Sequence, residues 1–97
     1  MNGGSAKIVR WRLRCFGRVQ RVGFRFAAFC LARELSLTGW ADNREDGSVE
    51  LEVQGRLCAL RQFVIRIKSR EHIRIDRLEL LTITTVPSEH GFKIRGD

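Results

Sequence analysis

The residues from Arg14 to Arg25, R-C-F-G-R-V-Q-R-V-G-F-R, combine the parts needed to hold a small anion. Gly17 and Gly23 bound a short loop, and a helical pattern opens at Phe24 with Arg25 in its first turn. Backbone N–H groups in such a loop, and those at a helix N-terminus, have no partner of their own. The helix dipole adds positive potential at the same point, which makes it a ready anion site. Arg25 supplies a full charge in a planar fork that matches phosphate geometry. Strand, glycine-bounded loop, helix and Arg together predict a cradle for a phosphate group.

The elements that must position this cradle follow from hydrophobic periodicity. Val9, Trp11, Leu13 and Cys15 alternate with Arg10, Arg12 and Arg14, a period of two that predicts a strand ending at Cys15. Phe24, Ala28, Leu31 and Leu35 recur at helical spacing and predict a deeply buried helix. Leu37–Asn43 reads as a second strand with Trp40 buried, and Asp46-Gly47 supplies hairpin turn chemistry. Val49, Leu51 and Val53 alternate with Glu50, Glu52 and Gln54 in a third strand. Leu57, Leu60, Val64 and Ile67 mark a second amphipathic helix, with Phe63 beside the stripe.

Residues Ile73 to Thr85 predict a long strand whose alternation slips near Asp76-Arg77, the signature of a bulge. Pro87 ends it, and Gly91–Arg95 forms a short last strand. The order βαββαβ plus a short final strand predicts an α+β, ferredoxin-like two-layer sandwich, with both helices on one face of a mostly antiparallel sheet. In that topology the first and third strands are neighbours, so Arg10, Arg12 and Arg14 face Glu50 and Glu52 in a solvated charge ladder.

At 97 residues the chain has room for one domain, read as 8–97 after a Gly/Ser-rich N-terminal tail, 1–7. Hydrophobic content of 43% suits a soluble globule, and no apolar run approaches the roughly 20 residues of a membrane span. A cytoplasmic monomer is the expectation. Cys15, Cys30 and Cys58 lie in apolar patterns without metal-ligand or disulfide spacing, so they are read as buried, reduced thiols. His72 and His90 have no Cys or carboxylate partners at ligand spacing and are read as surface residues.

Net charge is +7, and no Asp or Glu precedes Glu34, whereas Lys7, Arg10, Arg12, Arg14, Arg18, Arg21, Arg25 and Arg33 all do. Positive potential therefore gathers around the cradle and attracts an anionic ligand. A basic nucleic-acid-binding module is the rival reading. Against it stand Glu50 and Glu52 in mid-sheet and the lack of paired surface aromatics.

The segment G-R-V-Q-R-V-G-F-R (Gly17–Arg25), followed by L-x-G-W-A-D-N-x-x-D-G-S-V-E (Leu37–Glu50), resembles the acylphosphatase signature, motif spacing included. The strand and helix order extends the resemblance from about Ile8 to Arg95. What the resemblance implies is hydrolysis of the carboxyl–phosphate bond of acyl phosphates to a carboxylate and inorganic phosphate, without metal or organic cofactor. By position it makes Arg25 the phosphate anchor and Asn43 the residue that places the attacking water. Backbone amides from Arg18 to Val22, through Val19, Gln20 and Arg21, would line the phosphate, with Gly17 and Gly23 at the loop ends.

The chain departs from that pattern at Arg21, where the family normally has Gly. If the position requires positive φ, a side chain there costs roughly 1–2 kcal/mol. Two outcomes stay open: a shifted loop with poorly aimed amides, or a guanidinium that reaches the phosphate or its rim. A third functional reading follows, a phosphate- or carbamoyl-phosphate-binding domain of low or no activity.

Overall fold

The apolar–basic alternation at the start of the chain becomes β1 (Ile8–Arg18) in the computed structural model, which describes residues 7–96. The strand runs past the expected end at Cys15, because Gly17 and Arg18 continue to pair across the sheet. There follow α1 (Phe24–Glu34), β2 (Thr38–Asn43), β3 (Val49–Arg56), α2 (Leu57–Lys68), β4 (Arg74–Ile83) and β5 (Phe92–Arg95). All of the expected 1–7 tail except Lys7 lies outside the described residues, as does Asp97.

The sheet order is β4-β1-β3-β2-β5, antiparallel except for the parallel pair β2–β5. This is the ferredoxin-like sandwich that the element order predicts. Leu13, Cys15, Leu51 and Val53 present one face of the sheet to Ala28 and Leu31 of α1 and to Leu60, Phe63 and Ile67 of α2, all fully buried. Phe63 is itself on the buried stripe, at positions 60, 63 and 67, while Val64 sits on its flank. No helix among the described residues is long and apolar enough to cross a membrane.

The slip in the β4 pattern is a bulge. Phe16 pairs with Arg77 and Gly17 with Ile75, so Asp76 has no partner on β1. Gly17 is required there: at φ +131°, a Cβ would lie 2.3 Å from the Arg74 carbonyl oxygen. The extra residue bends β4 and increases the local twist beside the end of β1.

The thiols differ from expectation. Cys15 is buried, and burial pushes its thiol up to about 12, but Cys30 and Cys58 are exposed because they fall on the outer faces of their helices. None of the three is paired.

The charge ladder has the expected register, with Arg12 opposite Glu52 and Arg14 opposite Glu50, but one end of it is not solvated. The segment between β4 and β5 crosses the open face of the sheet and covers Arg10, which is only 2% exposed. Arg10 donates to Glu52 at 2.8 Å and, through both terminal nitrogens, to Glu89 at 2.7 and 3.1 Å. Gln54 fastens the same segment, accepting from the Val86 N–H and donating to the Val86 carbonyl. Alternation cannot reveal this cover, because an Arg on a wet face and an Arg beneath a strap have the same spacing.

Burial alone would raise the carboxyls of Glu52 and Glu89, but hydrogen bonds from Arg12 and Arg10 outweigh it and hold both below the usual 4.5. A carboxyl with a depressed folded-state pKa stabilises the fold above its unfolded value, and that stability is lost as pH falls through the folded value. Glu89→Gln is therefore expected to lose ~1.5–3 kcal/mol at pH 7, the worth of hydrogen bonds to a charged group. It should also flatten the decline in stability below about pH 4.5. Urea midpoints of both proteins at pH 7 and at about pH 3.5 check this; parallel declines would refute it.

Candidate active site

The strand directions bring the site together. Because β1 and β2 both run antiparallel to β3, and β5 runs parallel to β2, the carboxyl ends of β1, β2 and β5 lie at the same end of the sheet. Arg18, Asn43 and Arg95 mark those ends, and α1 starts beside them after the loop 19–23.

That loop enters α1 through Gly23, whose φ of +78° ends a turn that an L-residue would adopt only with strain. No side chain caps the helix, and its first turn carries no acidic residue. None of the hydrogen bonds among the described loops and turns uses a backbone N–H from Val19 to Gly23. A helix start with unused donors and no competing carboxylate is suited to an anion.

One pocket, of about 200 Å³, opens at this point. It is lined by Val19, Arg21, Gly23 and Arg25 of the loop and first helical turn, by Asn43 at the end of β2, and by Phe24, Phe26 and Ile94. Arg25 Nη1 donates to the Arg95 carbonyl at 2.5 Å, so the last strand steers the side chain that lines the pocket. Among the described residues, Asn43 makes no side-chain hydrogen bond. Its backbone is held in register opposite Val49.

Residues expected at the phosphate divide into two sets. Val19, Arg21, Gly23, Arg25 and Asn43 share the pocket. Gly17, Arg18, Gln20 and Val22 do not line it. Gly17 lies inside β1 at the bulge, and Arg18 and Val22 face a neighbouring groove.

The Gln20 side chain turns away from the pocket and donates to the carbonyls of Arg44 at 2.7 Å and Ser48 at 2.8 Å. It ties the loop to the β2–β3 turn that carries Asn43. The turn is further fixed by Asp46, which accepts from the Ser48 hydroxyl at 2.5 Å and its N–H at 2.9 Å. Those bonds hold the Asp46 carboxyl below its usual 3.8. Neither the clasp by Gln20 nor the Arg95 carbonyl has a sequence signal, since each depends on which backbone oxygen the fold presents.

Arg21 resolves the open question about the loop. Its φ is +64°, so the left-handed turn is kept although the residue is not Gly. The loop has not shifted to relieve the side chain; it carries the strain, and the guanidinium-bearing residue lines the pocket. Arg21→Gly is accordingly expected to stabilise the fold by up to ~1 kcal/mol, the relief of strain being partly offset by a more flexible unfolded chain. For a domain of this size that raises Tm by about 4–8 °C. A thermal melt showing a lower Tm would contradict this.

With this geometry established, likeness to known proteins is informative. The acylphosphatase family model matches residues 11–94. The chain belongs to the acylphosphatase family. An acylphosphatase of Clostridium acetobutylicum is 37% identical over 86 residues, spanning 88% of this chain and 94% of that one. The crystal structure of acylphosphatase from Bacillus subtilis superposes with a TM-score of 0.85 at 31% identity, covering 91% of this chain and 99% of the other. Part of full-length HypF, in its phosphate- and nucleotide-bound form, superposes at 0.84 with 29% identity, over 93% of this chain and 12% of that one.

Among the described residues, no group of three or more His, Cys, Asp or Glu gathers to hold a metal ion.

Proposed function

We propose that this acylphosphatase-family chain hydrolyses the carboxyl–phosphate bond of acyl phosphates, with Arg25 and the loop 19–23 holding the phosphate and Asn43 placing the attacking water. The observation that carries this reading is the single pocket in which Arg25, Asn43 and the uncapped start of α1 converge.

An acyl phosphate already has a carboxylate as its leaving group, so the reaction needs neither a strong base nor a metal to expel it. Positioning and charge stabilisation are sufficient contributions. Arg25 and the loop amides bind the nonbridging oxygens, on which negative charge must be accommodated as the P–O bond to the acyl group breaks. Asn43 offers a carbonyl oxygen that accepts from water and an NH₂ that donates, which orients a neutral nucleophile without repelling the anion. Water attacks phosphorus opposite the acyl oxygen, the P–O bond breaks toward the carboxylate, and a phosphate oxygen of the substrate takes the proton from water. The residues that line the pocket include no carboxylate or imidazole to take that proton instead.

The open face of the sheet supports this reading over nucleic-acid binding. Its β1–β3 rungs are occupied by Arg–Glu pairs, and a strap covers Arg10. A monomer in a reducing compartment such as the cytoplasm fits three unpaired thiols, two of them exposed.

The test is steady-state hydrolysis of benzoyl phosphate in the presence of a metal chelator. Turnover with stoichiometric release of inorganic phosphate is expected. A folded protein that binds phosphate but leaves benzoyl phosphate intact would reduce the chain to a binding domain.

A further inference from the structure

Arg25 and Asn43 come from different elements, the start of α1 and the end of β2, so something must fix one relative to the other. The carbonyl that takes Arg25 Nη1 belongs to Arg95, the last residue of a four-residue edge strand that pairs only with β2. The end of such a strand opens readily unless a side chain pins it. Arg44 follows Asn43 into the β2–β3 turn, where its N–H donates to the Ser48 carbonyl at 2.8 Å.

One side chain reaches both places. Trp40 stands opposite Glu52 on β3 and Lys93 on β5, on the sheet face away from the helices. It is nevertheless only 9% exposed, and it takes no part in the core cluster beneath the helices. Two guanidinium groups lie over its ring instead, that of Arg95 at 4.4 Å from the centroid and that of Arg44 at 5.9 Å. Cations over an indole face are attracted to it, but two of them repel each other unless one is neutralised. Arg44 is neutralised: it donates to Glu50 at 2.6 Å and lies 3.6 Å from Asp42. Arg95 makes no ion pair among the described residues, so the ring is what holds its guanidinium.

We infer that Trp40 is a positioning residue for the hydrolysis. Through Arg95 it holds the end of β5, and with it the carbonyl that aims Arg25. Through Arg44 it holds the turn residue next to Asn43. Trp40 does not line the phosphate pocket, so it acts only through these neighbours. The inference rests on the proposed hydrolase reading and adds what sets the spacing of its two working side chains.

The test uses benzoyl phosphate as substrate and inorganic phosphate as competitive inhibitor. Trp40→Leu should lower kcat/KM ten-fold or more, with a lower kcat and several-fold weaker inhibition by phosphate. Trp40→Phe keeps an aromatic face for both cations and should stay within about three-fold of wild type. Trp11→Leu removes the other indole, which packs against the core cluster; it should cost stability and leave both kinetic readouts near wild type. Arg44→Gln acts on the Asn43 side and should lower kcat without changing phosphate inhibition. In an Arg95→Gln background, Trp40→Leu should weaken phosphate inhibition no further, because the two residues act along one route.

Wild-type turnover and phosphate inhibition in folded Trp40→Leu, or additive losses in the Trp40–Arg95 pair, would overturn the inference while the hydrolase reading stands. If Trp40→Leu does not fold, Arg95→Gln, which alters only an exposed side chain and keeps the carbonyl, carries the test. Unchanged phosphate inhibition in that variant would overturn the inference as well. A folded wild type inert toward every acyl phosphate would overturn both readings.

Discussion

Replacing Arg25 with Gln is expected to lower kcat/KM for benzoyl phosphate by about 10³–10⁵-fold, the range set by a single transition-state arginine in other phosphoryl transfers. The cause is electrostatic. In-line displacement at phosphorus spreads charge over oxygens that the pocket has partly withdrawn from water, and a fixed cation close to them is worth more there than in solvent. Gln retains an N–H donor for the Arg95 carbonyl but removes the charge and the planar fork.

Lys at the same position restores charge as a point on a flexible stem, so Arg25→Lys should recover only a fraction of the loss. A thermal melt reads any structural part of the effect separately, since the side chain also bonds the Arg95 carbonyl. Kinetics and a thermal melt on the same preparations separate the two effects. A loss below ten-fold in a folded variant would move the phosphate anchor to the loop amides or to Arg21.

The parts of this protein legible in its sequence are those governed by periodicity and by covalent geometry. Seven elements in order follow from alternation and helical spacing, and the slip at Asp76 was visible because a bulge breaks a period of two. Arg25 stands out by its place at the start of a helix after a glycine-bounded loop, and Asn43 by the resemblance to the acylphosphatase signature; one pocket holds both. The left-handed turn at Arg21 was conditional on one backbone angle, which the structure supplies as +64°.

What alternation misses is anything contributed by a segment distant in the chain. Arg10 reads as one more solvated Arg until Glu89, 79 residues later, is laid over it. Gln20 reads as part of the phosphate loop until the carbonyls of Arg44 and Ser48 are placed beneath its amide. Both belong to the same design: long-range polar contacts hold the loop, the hairpin turn and the last strand, and the pocket is the space left between them. The site therefore depends on residues that never touch it.

The same dependence shapes the second large effect, at Asn43. Asn43→Ala is expected to lower kcat by about 10²–10³-fold, as removal of one preorganised polar group does elsewhere, while KM changes little. On the proposed mechanism water is the group being oriented and the phosphate keeps Arg25 and the loop, so ground-state binding should be largely retained. Asn43→Asp is the sharper variant. Its carboxylate is close in size but places a negative charge in the phosphate pocket, so KM should rise as kcat falls. Orientation by the amide then predicts a kcat defect in both variants and a KM defect in one. If instead Asn43 merely completed the turn after β2, Asp would serve nearly as well, since both residues favour such turns. Near-normal turnover by Asn43→Asp would thus assign the residue to the hairpin, and water placement would pass to the loop amides. That the amide has no partner among the described residues argues for the kinetic split, because a turn-forming Asn would spend its side chain on the backbone beside it, as Asp46 does with Ser48.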